Sequence, residues 1–132
     1  MEIVRAHTRR SDRGPESWFS GPVWLEPIVQ APAPARVRAL RVTFAPRART
    51  AWHRHPLGQA LEIVSGRALV GRDDGTVEEL TGGDTVWFEP GERHWHGASP
   101  DGVMVHIAIQ EADEDGQQAS WEEHVTDEQY GH

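Results

Sequence analysis

Four histidines occur in two pairs of the form His-X-His, an arrangement that suits metal binding. His53 and His55 form the first pair, and His94 and His96 form the second. Residues i and i+2 of a β-strand project from the same face, so each pair on a strand presents two imidazoles to one side. One strand histidine alone is more often a hydrogen-bonded structural residue, but two such pairs in one small chain favour a transition-metal site.

Two further polar residues are placed to join this site. Gln59 follows a Pro-Leu-Gly break, from which its side chain can turn back toward the first histidine pair. His106 lies in a run whose residues alternate between two faces. One face carries Met104, His106, Ala108 and Gln110, and the other carries Val105, Ile107 and Ile109. A buried polar face needs partners, which a metal ion and a water-filled pocket would supply. Glu62 is not expected to be a ligand, because it faces away from Gln59.

Short strands must position these residues. The apolar runs are VWLEPIVQ (23–30), RVRALRVTF (36–44), QALEIV (59–64), RALVG (67–71), TVEEL (76–80), TVWF (85–88), HWH (94–96) and VMVHIAIQ (103–110). Turn sequences rich in Gly, Pro and Asp separate them, which predicts an all-β barrel or sandwich. Only SWEEHVTDEQY (120–130) carries helix signals. Its capping-box spacings, Ser120…Glu123 and Thr126…Gln129, predict a short helix or helical turn near the C-terminus.

The composition excludes several kinds of chemistry. A chain of 132 residues can form one domain with a substantial core. It contains no cysteine and no lysine, since all 13 basic residues are arginine. Disulfides, thiolate nucleophiles, Schiff bases and a phosphate-loop lysine are therefore excluded.

The charge distribution bears on the partners. From Glu111 to the end there are eight acids and no arginine, so 13 of the 21 acids remain to balance the 13 arginines elsewhere. The segment EADEDGQQ (111–118) is interpreted as solvated surface. No basic patch with interleaved aromatics is present, so no nucleic-acid partner is expected.

MEIVRAHTRR is too polar for a signal peptide and no apolar run has membrane length, so we expect a cytoplasmic protein without a membrane partner.

The motifs HPLGQ, VWFEPGERHWHG and HIAIQE resemble those of the cupin superfamily, whose fold is a double-stranded β-helix, or jelly-roll barrel. The usual first motif has a glutamate after the histidine pair, where this chain has Gln59. Together with EHVTDEQY, the pattern resembles the small monocupins that include bacterial (R)-selective hydroxynitrile lyases. The resemblance implies one cupin domain over residues 1–132. It would have an N-terminal arm at about 1–35, a barrel core at about 36–110 and an acidic tail at about 111–132.

The resemblance also implies a site. It places the metal ligands at His53, His55, Gln59 and His94. The cofactor would be one divalent transition metal per chain, with manganese the first expectation and iron the second. The catalytic residues would be His106, as a base for the substrate hydroxyl, and His96, as a hydrogen-bond donor to departing cyanide or an orienting residue. The substrate pocket would include Leu40, Val42 and Gln110, with Leu40 bulkier than the small residue of the lyases at that position.

Three functions are compatible with such a site. The first is redox-neutral cleavage or synthesis of a cyanohydrin such as mandelonitrile. The second is a metal-dependent dioxygenase acting on a small aromatic or enol substrate. The third is a cupin that binds a metal and a small ligand without turnover. Each has a small molecule as its partner.

Assembly is expected as well, because the outward residues of the last strand need cover. The N-terminal aromatics Trp18, Phe19 and Trp24 could supply some of that cover. A second subunit would supply the rest, which predicts a homodimer or homotetramer.

Overall fold

The computed structural model describes all 132 residues as two antiparallel β-sheets with very little helix. The strands are β1 (Asp12–Arg13), β2 (Phe19–Ser20), β3 (Val23–Gln30), β4 (Val37–Phe44), β5 (Arg49–Thr50), β6 (His53–Arg54), β7 (Gln59–Ser65), β8 (Arg67–Arg72), β9 (Val77–Thr81), β10 (Thr85–Phe88), β11 (His94–Ala98), β12 (Met104–Glu111) and β13 (Ser120–Trp121). A 3-10 turn covers Ala6–Thr8, and the helix α1 covers Asp127–Tyr130. The all-β prediction is therefore confirmed. None of the helices has the length and apolar character needed to cross a membrane.

The two sheets form the layers of a jelly roll. The first sheet has the strand order β1-β3-β4-β12-β7-β10. The second has the order β13-β6-β11-β5-β2, and β8 joins it by pairing with both β11 and β9. Strand β3 comes from the segment interpreted as an arm, and β13 from the segment interpreted as a tail. Both ends of the chain therefore complete the sheets around the central strands.

Period-two alternation decides which side chains enter the interior. In β12, Met104, His106, Ala108 and Gln110 are buried, whereas Val105 and Ile107 are half-buried and Ile109 is 43% exposed. This matches the alternation expected from the sequence. Glu62 is exposed between buried Leu61 and Ile63, as expected.

Strand β11 is covered on both faces, and Trp95 anchors it from the outer side. Trp95 packs in a cluster of buried residues on that side, which are Trp52, Leu69, Trp95, Val125 and Tyr130. The Tyr130 hydroxyl donates a hydrogen bond of 2.7 Å to the carbonyl of Ala98. Because side chains alternate along the strand, an outward Trp95 directs His94 and His96 inward.

The C-terminal prediction is right for one of its two capping signals. Thr126 caps α1 with a complete capping box to Gln129, as its spacing predicts. Ser120 does not begin a helix. It lies in β13, where Ser120 and Trp121 pair with β6. An unpaired strand edge at β6 offers hydrogen bonds that a local capping signal cannot match.

The N-terminal aromatics do not cover the outer face of β12, contrary to expectation. Phe19 is buried in the interior between the sheets. Trp18 stacks on Trp121 with ring centroids 4.9 Å apart. Trp24 lies opposite Thr43, which lies opposite Val105, so its side chain shares the outer face instead of covering it. The reason is that β3 extends the sheet edgewise through backbone pairing.

Gly71 offers a test of whether the packing of Trp95 orients His94 and His96. Gly71 lies directly opposite Trp95, and a Cβ at Gly71 would overlap the indole ring. We expect Gly71→Ala to lower the free energy of unfolding by about 1–3 kcal/mol, the usual cost of overpacking, and to disturb His94 and His96. Denaturant titration and metal content measure the two effects. Gly102→Ala is the control, because nothing lies within 4 Å of its Cβ position. Equal stability of the two variants would contradict this account.

Candidate functional site

The structure brings five histidines from distant parts of the chain into one buried cluster. They are His53, His55, His94, His96 and His106. His53 and His94 are direct cross-strand partners between β6 and β11, with ring centroids 4.3 Å apart. The His55 ring lies 5.0 Å from that of His53, and the His106 ring lies 4.9 Å from that of His96. The other three histidines, at 7, 124 and 132, are exposed.

Three of these rings are held in the same way, through Nδ1. The contacts join His53 to the carbonyl of Ala51 at 2.9 Å, His55 to that of Gln118 at 2.7 Å, and His94 to that of Glu92 at 2.9 Å. A carbonyl only accepts hydrogen bonds, so Nδ1 carries the proton in each neutral ring and Nε2 keeps its lone pair. Such contacts typically orient the histidines that bind metals. The Nε2 atoms of His55 and His94 are buried without any partner.

Gln59 supplies a fourth free acceptor. Its Nε2 donates a hydrogen bond of 2.8 Å to Oε1 of Gln110, and its Oε1 is buried without a partner. Gln110 in turn donates to Oε1 of Gln118 at 3.3 Å. This chain of three amides determines which end of the Gln59 amide is free, and the free end is the oxygen.

Gln118 is the site residue that the sequence interpretation missed. It lies in the acidic segment interpreted as solvated surface, and no local signal distinguished it. In the structure it is half-buried, and it contacts His55 through its backbone and Gln110 through its side chain. The prediction that 111–118 is entirely solvated is therefore wrong at Gln118, and also at Ala112, which is buried.

The chemistry of these donors fits a divalent transition metal. Three imidazole nitrogens and one amide oxygen are common metal ligands, and buried acceptors without partners need an explanation of this kind. The ligand nitrogens of a slightly different triple, His53, His94 and His96, lie within 4.8 Å of one another. Nε2 of His96 is also buried without a partner, but its Nδ1 lies 3.1 Å from Nε2 of His106, so a neighbouring imidazole orients this ring where backbone carbonyls orient the other three.

Burial keeps these histidines neutral. It lowers the pKa of His94 to about 3 and that of His106 to about 3. Burial is also the main cause that lowers the pKa of His53 and His96, and the neighbouring imidazoles lower both further. A neutral ring can bind a metal or accept a proton, whereas a protonated ring can do neither.

A cavity of about 590 Å³ opens onto the histidines. Of the residues predicted for the site, those that line it are Leu40, Val42, His53, His55, Gln59, His96, His106 and Gln110. His94 is not in the lining and lies behind it. Ala108 adds to the apolar wall, and Trp121 stacks on His53 at 4.5 Å beside the cavity. The cavity therefore combines a polar end with an apolar wall.

Comparison with known proteins gives matches across the chain. The pattern of the cupin domain family matches residues 40–109. The chain is 55% identical over 130 residues, 98% of each chain, to a protein of Granulicella tundricola named (R)-mandelonitrile lyase. Among solved structures, a cupin-like protein of Thermotoga maritima is 34% identical, with a TM-score of 0.85 over 98% of this chain and 95% of that one. A polyketide cyclase of Streptomyces resistomycificus has a TM-score of 0.77 at 15% identity, over 98% and 90% of the two chains, which is a likeness of fold alone.

Acid sensitivity of the metal-free protein tests the neutral histidines. An unfolded histidine titrates near 6.5, whereas His94 and His106 remain neutral in the fold to about 3. Below pH 6.5 the unfolded chain binds protons that the folded chain does not, so the free energy of unfolding falls as the pH drops. Each buried ring should contribute a loss of roughly 2 kcal/mol between pH 6.5 and 5. Denaturant unfolding at several pH values measures the loss. His124→Gln, a change of an exposed ring, should show the same profile, and a flat profile above pH 5 would disprove the assignment.

Proposed function

This chain belongs to the cupin domain family, and from that premise we propose that it is a metal-dependent hydroxynitrile lyase. Its reaction would be the cleavage or formation of (R)-cyanohydrins such as mandelonitrile. The observation that carries this proposal is the full-length similarity, at 55% identity, to a protein named (R)-mandelonitrile lyase. The buried donors and the cavity beside them supply the parts that such a reaction requires.

We assign the metal to His53, His55, Gln59 and His94. Their donor atoms are all neutral, so a bound cation would keep its full positive charge and would polarise the oxygen of a bound substrate. The ligand types accommodate several first-row metals. Within that range we propose manganese first and iron second, at one ion per chain.

The histidine pair next to the metal ligands is suited to proton transfer. His106 is buried and neutral, and its Nδ1 has no partner, while its Nε2 contacts His96. In cleavage, the pair would accept the hydroxyl proton through His106. The carbon–carbon bond then breaks, its electron pair leaves with cyanide, and the proton is returned to give hydrogen cyanide and the aldehyde. His96 would hold His106 in position and donate toward the departing cyanide.

The cavity wall suits a small aromatic aldehyde. Leu40, Val42 and Ala108 supply apolar surface from β4 and β12, and Gln110 supplies the polar edge beside Gln59. An aromatic ring packed on that wall would direct its aldehyde carbon toward the histidines. Leu40 leaves less space in the pocket than a smaller residue at that position would, so we expect the pocket to favour substrates with narrow aromatic rings.

The outer face of the first sheet supports assembly with a second copy of the chain. Trp87, Ala60, Ile109, Ala39 and Val29 form one apolar row across five adjacent strands. Trp87, Ile109 and Val29 in this row are 52%, 43% and 42% exposed. A contiguous apolar row of this width is costly to leave in water. We therefore propose a homodimer in which two such faces pack together, with pairing of dimers into a homotetramer as its extension.

The reaction is tested anaerobically with racemic mandelonitrile. We expect metal-loaded protein to cleave the (R) enantiomer faster than metal-free protein does. His94→Ala should lose both metal and rate, because it removes a ligand. His106→Ala should retain the metal and lose about 10²–10⁴-fold in rate, the usual contribution of a general base. Chiral chromatography and metal analysis give the readouts.

His124→Ala is the matched control, since this exposed ring lies outside the cavity. Equal rates with and without metal would rule out the lyase. Oxygen uptake with an enol substrate would identify the dioxygenase instead. Retained metal with ligand-dependent stabilisation but no turnover would identify the non-catalytic binder.

The dimer is tested by light scattering at micromolar concentration. We expect twice the monomer mass or a higher even multiple for the wild-type chain, and a shift toward monomer for Ile109→Glu, because a carboxylate at the centre of the row cannot be buried unpaired. Val103→Glu is the control, since Val103 is 53% exposed but lies outside the sheet. A wild-type monomer, or a dimer unaffected by Ile109→Glu, would contradict the proposal.

A further inference from the structure

Arg38 places a positive charge in the cavity wall, at the end of a row that leads to the metal ligands. It lines the cavity from β4 and lies directly opposite Gln110 on β12, which lies directly opposite Gln59 on β7. Directly paired residues of an antiparallel sheet share a face, and neighbouring strands lie about 4.8 Å apart. The backbone of Arg38 is therefore about 10 Å from that of Gln59, on the same inner surface.

The guanidinium of Arg38 is only partly engaged by the protein. Its Nη1 donates to the carbonyls of Ala31 at 3.3 Å and Val37 at 3.0 Å. Its Nε is buried without a partner, and its Nη2 makes no hydrogen bond. No carboxylate lies within 4.0 Å, in contrast to Arg67 and Arg93, which each pair with acids.

The side of the Arg38 guanidinium that makes no hydrogen bonds matches the shape of a carboxylate. Nε–H and Nη2–H point in parallel from one side of a guanidinium, and that pair matches the two oxygens of a carboxylate. A buried donor without an acceptor also costs free energy, which a bound anion would offset. The two contacts from Nη1 hold the rest of the group in place, so the free edge is preorganised.

We propose that Arg38 is a substrate-recognition residue that selects aldehydes and cyanohydrins carrying a carboxylate at the end remote from the reacting carbon. This inference rests on the proposed lyase function. The ring of such a substrate would lie on Leu40, Val42 and Ala108, with its reacting carbon at the histidines and its carboxylate at Arg38. A para-substituted benzene ring carries its two substituents at opposite ends, so one can face the histidines while the other faces Arg38.

The test compares mandelonitrile with 4-carboxymandelonitrile and its methyl ester. In wild-type protein we expect kcat/KM to be roughly tenfold to a hundredfold higher for the carboxylate, the factor that a charge-assisted hydrogen-bonded pair supplies. The ester should show no such advantage, because it has the size without the charge. In Arg38→Gln the ratio should fall to near one, and Arg38→Lys should restore part of it. A variant that is merely less well folded would lower both rates and leave the ratio unchanged.

Arg36→Gln is the matched control, since Arg36 is exposed two residues away and does not line the cavity. Binding of 4-formylbenzoate and benzaldehyde to metal-free protein, measured by calorimetry, gives a readout that needs no turnover. We expect tighter binding of 4-formylbenzoate, lost in Arg38→Gln. Failure of the lyase appears as no cleavage of any cyanohydrin, with this binding preference intact. Equal affinity of wild-type protein for the two aldehydes, or a rate ratio insensitive to Arg38→Gln, would overturn the carboxylate subsite.

Discussion

The burial of five neutral imidazoles is the constraint on which the rest of the structure depends. A buried ring with an unpaired N–H would be costly, so the fold supplies a backbone carbonyl to Nδ1 of His53, His55 and His94. Each contact also determines which nitrogen remains free. The hydrogen bonds that satisfy these buried rings therefore also leave their Nε2 atoms free to bind a metal. The same backbone carbonyls serve both stability and metal binding.

This demand explains why the C-terminal segment returns to the site. Gln118 contributes its carbonyl to His55 and its side chain to the amide chain that orients Gln59. Trp121 stacks on His53 from β13. Arg93 secures the segment through ion pairs with Glu122 and Glu123, and its guanidinium also lies over the ring of Trp52 at 4.1 Å. The acidic residues there thus connect to an arginine on the body of the fold.

The cavity has two kinds of surface, a polar end and an apolar wall, which have different roles in the proposed chemistry. Its polar end carries only neutral donors and acceptors, so the charge of a bound cation would not be cancelled by a ligand carboxylate. Its apolar wall comes from β4 and β12, which are direct neighbours in the first sheet. Arg38 follows this wall on β4, two residues from Leu40, and also lines the cavity. The proposed reaction and the proposed recognition of a carboxylate would therefore lie at opposite ends of one inner surface.

The sequence by itself determined the local features. Period-two alternation placed His106 inward and Glu62 outward, turn residues marked the strands, and Thr126 with Gln129 located the helix. These follow from interactions between residues close in the chain. Tertiary structure decided the rest. The carbonyl of Gln118 contacts His55 across 63 residues, and Ser120 became strand because β6 had an edge to pair. Such contacts depend on how the sheets pack, because the partner that satisfies a buried polar group is the nearest in space and need not be near in sequence.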